Sequence, residues 1–215
     1  MRPRPLLALI VLLSALAAAP PALADQEIKK KPGKFSLTGD KLTLTMGFRE
    51  LFSSAMRLRL RNGFATTVVM RIHLFEADGS KTVAFSARTI KAVYDLWDET
   101  YTIRMEEPAR TRHVKKKRSK AVVDRLTSLW RFPVADLALV EPNKRYFVAI
   151  IAEVNPMSED LLSEVRRWLR NPRGSRGSMG GENLFGSFVS IFVNNKIRRA
   201  ERTMRLRSQD FFRRP

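Results

Sequence analysis

Two histidines, a short run of acids and a long run of bases are the side chains with which this chain could do chemistry. His73 and His113 are its only imidazoles, and it has no cysteine. A histidine metal site draws two or three ligands together and a thiolate site needs cysteine, so neither metal pattern is present. A serine nucleophile would need one of these histidines beside it. The G-x-S-x-G elbow that exposes such a serine fails, because Gly186-Ser187 runs into Phe188. Gly174, Gly177, Gly180 and Gly181 lack the Gly-Lys-Ser/Thr ending of a phosphate loop. The sequence therefore calls for no metal and no cofactor.

Asp95, Asp98 and Glu99 come nearest to a catalytic or calcium-binding cluster, since paired carboxylates divide acid and base work and calcium takes oxygen ligands. Their spacing is not that of an EF-hand loop. The competing reading is a hairpin turn whose acids stay in water while Tyr94, Leu96 and Trp97 pack. Between Arg110 and Lys120 the charge reverses. Arg110, Arg112, Lys115, Lys116, Lys117, Arg118 and Lys120 make up seven of eleven residues, with no acid among them. With Pro108 ahead of it, the stretch 106–120 reads as a solvated loop and as the candidate partner-binding segment. Near the end, Arg205, Arg207, Phe211, Phe212, Arg213 and Arg214 interleave bases with rings, a pattern of membrane contact or of a frayed terminus.

These groups sit in a chain of 215 residues with 40 Lys and Arg against 21 Asp and Glu, a net charge of +19. It opens with Arg2 and Arg4, an apolar run from Leu6 to Ala18, and Ala22-Leu23-Ala24, which fits the A-x-A exit of a cleavable signal over residues 1–24. The alternative is an uncleaved anchor, but the run falls short of the roughly 20 residues of a span. Cleavage would leave 191 residues at +17, enough for one domain held by packing without disulfides. No later segment is apolar for long enough to span a bilayer, so the expected product is periplasmic or secreted. Outside the cytoplasm the partners for such charge are an acidic protein, an anionic envelope polymer or a lipid surface, and not nucleic acid. The excess of 27 arginines over 13 lysines also fits a GC-rich coding sequence with no functional meaning.

The elements that must position these groups follow from periodicity. Residues 25–40, with Lys29-Lys30-Lys31, read as a flexible basic leader, 41–208 as a single globular β-rich domain and 209–215 as a tail. Leu42, Leu44, Met46 and Phe48 alternate as in a half-buried strand. Residues 50–61 have both helical and alternating spacing, and Asn62-Gly63 favours a helix that stops there. Strands are expected over 65–76, with a turn at Ala77-Asp78-Gly79, over 82–95, from Tyr101, and over the apolar run 146–154. An amphipathic helix from Ser119 to just before Pro133 would carry Val122, Leu126, Leu129 and Trp130 on one face. A second would be capped by Ser158 and bury Leu161, Leu162, Val165, Trp168 and Leu169, leaving Arg166, Arg167 and Arg170 in solvent. Residues 173–181 read as a mobile loop and 183–193 as a helix or a strand. Over 203–208 Met204 and Leu206 point inward and Arg205 and Arg207 outward. The fold class is α+β, β-rich, a mostly antiparallel sheet or sandwich with two or three packed amphipathic helices.

Four stretches, Tyr94-Asp95-Leu96-Trp97-Asp98-Glu99, Arg145-Tyr146-Phe147, Asn155-Pro156 running into Arg167-Trp168-Leu169, and Leu206-Arg207-Ser208-Gln209, give the chain a resemblance to the exported bacterial family called domain of unknown function 4390. The resemblance implies export and a β-rich fold and carries no catalytic residues. The expected function is a non-enzymatic extracytoplasmic binding or adaptor protein that contacts an acidic protein or anionic envelope component. The rival is a hydrolase that acts on an anionic envelope substrate through Asp95, Asp98 and Glu99.

Overall fold

The computed structural model describes residues 28–108, 110–156, 159–170 and 200–214. The alternation of Leu42, Leu44 and Met46 puts all three in the core on one strand, β3 (Lys41–Gly47), which pairs with β2 (Lys34–Thr38) and β8 (Ser128–Asp136) in a three-stranded sheet. The larger sheet is built round β9 (Arg145–Pro156), whose near-continuous apolar run is buried on both faces. On one side β9 pairs with β4 (Thr66–Glu76), followed outward by β5 (Thr82–Asp95), β6 (Thr100–Glu107) and β7 (Arg110–Lys116). On the other it pairs with β10 (Ala200–Arg207), which is flanked by β1 (Ile28–Lys30), and with β11 (Phe211–Phe212). Only β1 and β10 run parallel among the named strand pairs, so the fold is β-rich and mostly antiparallel.

The period of two assigns the faces. Val68, Met70, Ile72 and Leu74 of β4 share one face with Val148, Ile150, Ala152 and Val154 of β9. This face packs on the small sheet and on α1 (Ser54–Arg61) and α2 (Ser119–Leu126) in one apolar core. The helix α1 begins where Ser53 Oγ accepts the Met56 N–H at 3.2 Å, and ends at Asn62 with Gly63 at φ +85°, a conformation that favours glycine. Its buried residues are Met56 and Leu60, four apart, whereas Leu58 is exposed. Among the described residues no helix is long and apolar enough to cross a membrane.

Several expectations need correction. The stretch 106–120 is not a loop: β6 continues to Glu107 and β7 spans Arg110–Lys116, paired along its whole length. Two ion pairs accompany this pairing, Arg112 with Glu107 at 2.8 Å and Lys115 with Asp98 of the β5–β6 turn at 3.4 Å. The helix from Ser119 stops at Leu126, well short of Pro133. Thr127 Oγ1 donates to the Val123 carbonyl at 2.7 Å and Ser128 Oγ to that of Asp124 at 2.6 Å, hydroxyl bonds that compete with the helix. Beyond them Leu129, Phe132 and Val134 bury as strand residues, with Arg131 at φ +43° in an irregular stretch of pairing, and Trp130 is left 72% exposed.

The leader and tail are likewise part of the fold where they are described. Residues 28–30 and 34–38 form β1 and β2, and the Gln209 amide bridges Gly33 by accepting its N–H at 2.9 Å and donating to its carbonyl at 2.7 Å. Side chains are tight against Gly33, where a Cβ would meet Leu44 Cδ1 at 2.5 Å. Phe211 stacks on Phe35 with centroids 3.8 Å apart, and Arg213 Nη1 donates to the Val140 carbonyl at 3.2 Å. Three hydrogen bonds and a ring stack at typical values sum to about 4 kcal/mol. Deleting residues 209–215 should therefore lower stability by about that much in chemical denaturation, and an unchanged midpoint would mean the tail is a passenger.

Helix α3 (Glu159–Arg170) buries Val165 and Leu169 and exposes Arg166, Arg167 and Arg170, as its periodicity requires. The signal at 1–24, the cap Ser158, the side chains of Leu161, Leu162 and Trp168, and the segments 173–181 and 183–193 lie outside what is described.

Candidate functional site

On the second face of the large sheet, register aligns polar side chains in rows across β4 to β7. Thr67, Lys91, Arg104 and His113 are successive cross-strand partners, and Val69, Thr89, Glu106 and Thr111 form the next row. Thr67, Lys91 and Arg104 of the first row and Thr89, Glu106 and Thr111 of the second, with Asn155 and Pro156 from the end of β9, floor a cleft of 730 Å³, and Arg166, Leu169 and Arg170 of α3 form another part of its wall. Asn155 is at φ +47°, and its side chain fixes this corner. Its Oδ1 accepts the Thr67 N–H at 2.8 Å and its Nδ2 donates to Glu201 Oε2 at 2.6 Å.

Charge in the cleft is unequal. Lys91, Arg104, Arg110, Arg166 and Arg170 line it together with only Glu106 and Glu107. Glu106 pairs with Arg104 at 2.8 Å, and Glu107 is shared by Arg88 at 3.1 Å and Arg112 at 2.8 Å. Among the described residues Lys91, Arg110, Arg166 and Arg170 have no ion-pair partner. Four such cations round one opening make a site that attracts anions before any contact is made. Arg88 enters from the core face of β5, where burial pushes its guanidinium pKa down and Glu107 opposes the shift. Glu107 is thus occupied from the interior and leaves little negative charge for the opening.

The residues singled out in the sequence separate into three places. Asp95, Asp98 and Glu99 are exposed in the β5–β6 hairpin turn, where Asp95 Oδ1 accepts the N–H groups of Trp97 at 2.9 Å and Asp98 at 3.2 Å. None of the three lines the cleft. Trp97 does not pack beneath them but is 96% exposed, with Leu96 at 65%, while Tyr94 rests on Tyr101 at 4.6 Å. Of the basic segment, Arg110 lines the cleft, Arg112, Lys115 and Lys116 follow along β7, Lys117 and Arg118 connect to α2, and Lys120 lies in its first turn. His113 is exposed on β7. His73 is fully buried, against Phe85 at 4.9 Å and Phe75 at 5.9 Å. Among the described residues no three His, Cys, Asp or Glu are grouped to hold a metal ion.

A second charged group on the same sheet face was not legible in the sequence. Arg71 Nη2 and Glu153 Oε2 are 3.1 Å apart with both side chains buried, and Arg205 is buried with them instead of pointing to solvent. Burial and then the Arg71 charge push the Arg205 guanidinium pKa down, and Glu153 opposes them. The available signal was Glu153 itself, an acid at the end of an otherwise apolar strand. Lys91, Arg104, Arg166 and Arg170 were equally hidden, because they are far apart in sequence and converge only through register and the placement of α3. Comparison with known proteins adds nothing to these geometries: no family model, curated protein or solved structure matches this chain.

Proposed function

We propose that the protein is a non-enzymatic binding or adaptor module that works outside the cytoplasm and holds an acidic protein segment or anionic envelope component through the cleft between α3 and the large sheet. The observation that carries this reading is the meeting of Lys91, Arg110, Arg166 and Arg170 at one opening without ion-pair partners among the described residues. The basic start, apolar run and A-x-A exit of residues 1–24 support export. The rival, a hydrolase using Asp95, Asp98 and Glu99, has less support, since these acids lie in an exposed turn away from the cleft. Acid and base groups of a hydrolase converge on one cleft where substrate can sit, and these three do not line the cleft.

Poly-L-glutamate and anionic phospholipid vesicles are suitable probes. Changing Lys91, Arg110, Arg166 and Arg170 together to glutamine should weaken binding of the responsive probe by about tenfold or more at about 0.1 M salt, since exposed ion pairs are worth a few tenths to one kcal/mol each. Wild-type binding should fade as salt rises. Affinity unchanged by the fourfold substitution would remove the cleft from the reading and return the charge to composition.

A further inference from the structure

We infer that β7 is an open docking edge that takes up an acidic, extended segment of a partner protein as an additional strand of the large sheet. This rests on the reading of an acidic partner and goes beyond it by naming the conformation in which that partner binds. β7 is the last strand of its sheet, and among the described residues none pairs with its outer edge. A terminal strand presents the amide and carbonyl of alternate residues outward, which is a template for another strand.

Other edges of the fold are blunted. β1 has three residues and β11 two, β2 has five, and β8 carries Pro133, the positive φ of Arg131 and two shifts of register against β3. By contrast β7 pairs with β6 over seven residues in unbroken register from Arg110 opposite Glu107 to Lys116 opposite Tyr101. It contains no proline and no glycine, and five of its seven residues are exposed. A regular open edge of this length invites self-association unless something forbids it.

Charge decides which strand is accepted. A second copy of β7 paired here would lay two strands that each carry Arg110, Arg112, Lys115 and Lys116 side by side, with Arg110 opposite Lys116 in the fully overlapping antiparallel register, and like charges across strands repel. An acidic strand meets the opposite condition. Arg112 and Lys115 are already ion-paired with Glu107 and Asp98, whereas Arg110 and Lys116 have no ion-pair partner among the described residues. Arg110 also lines the cationic cleft, so a strand laid on β7 runs beside it. The same residues therefore exclude a copy of the chain and select an acidic partner.

The probe is an acetylated and amidated octapeptide of alternating glutamate and threonine, compared with the same peptide carrying N-methyl groups on alternate amides. Methylation leaves charge unchanged and removes strand hydrogen bonds. With wild-type protein the unmodified peptide should bind at least about tenfold more tightly, the loss expected for two or three hydrogen bonds, and should slow exchange of the β7 amides that point away from β6. Equal affinity for the two peptides, or unchanged exchange in β7 at saturation, overturns the inference. If equal affinity is accompanied by weaker binding to the cleft variant, the anionic-partner reading stands without strand addition. Failure of both peptides and of poly-L-glutamate to bind overturns both.

Discussion

Replacing Glu153 by leucine should lower the free energy of unfolding by about 3 to 5 kcal/mol, the usual cost of removing one partner from a buried ion pair. The carboxylate is 1% exposed, and Arg71 and Arg205 beside it are 4% and 6% exposed, so neither guanidinium can turn to water for compensation. An arginine guanidinium keeps its charge in proteins, so removing the acid cannot be answered by neutralising the bases. The loss is thus the unbalanced charge left behind, more than the attraction removed. Replacing Arg71 by methionine in the same chain should recover part of the loss, giving a positive coupling in a double-mutant cycle. Denaturant midpoints measured for the two single variants and the double would check this. A Glu153→Leu protein as stable as wild type would mean that the group is hydrated and not buried.

Tyr146→Ala is the second large effect, and an expected loss of about 3 to 5 kcal/mol follows from the cavity left by a fully enclosed ring. Tyr146 is 1% exposed, lies opposite Glu76 in β4 and Phe211 in β11, and its ring centroid is 6.2 Å from that of Phe211. Its hydroxyl accepts the Glu141 N–H at 3.0 Å. The conservative change Tyr146→Phe keeps the ring and loses only this bond, which should cost about 1 kcal/mol. Thermal unfolding distinguishes the two terms. Equal losses in both variants would place the stabilisation in the hydrogen bond and not in packing.

Local pattern in the sequence was enough for most of the strands. Alternation over residues 42–46, β-branched residues over 66–72 and the unbroken apolar run of 147–152 each produce a strand, because a period of two or burial on both faces is a property of neighbouring residues. The stop of α1 at Asn62-Gly63 and the outward arginines of α3 are local in the same sense. The ion pairing that accompanies the strand at 110–116 was not visible, since Glu107 and Asp98 meet Arg112 and Lys115 only after β6 and β7 pair. Trp130 looked like a helical core residue until Thr127 and Ser128 ended the helix and β3 captured the chain beyond them. Tertiary structure alone decided the cleft, whose cations come from β5, β6, β7 and α3. Charge composition could announce an affinity for anions, but convergence depends on strand order and on the position of one helix, and neither is written in any single stretch of the chain.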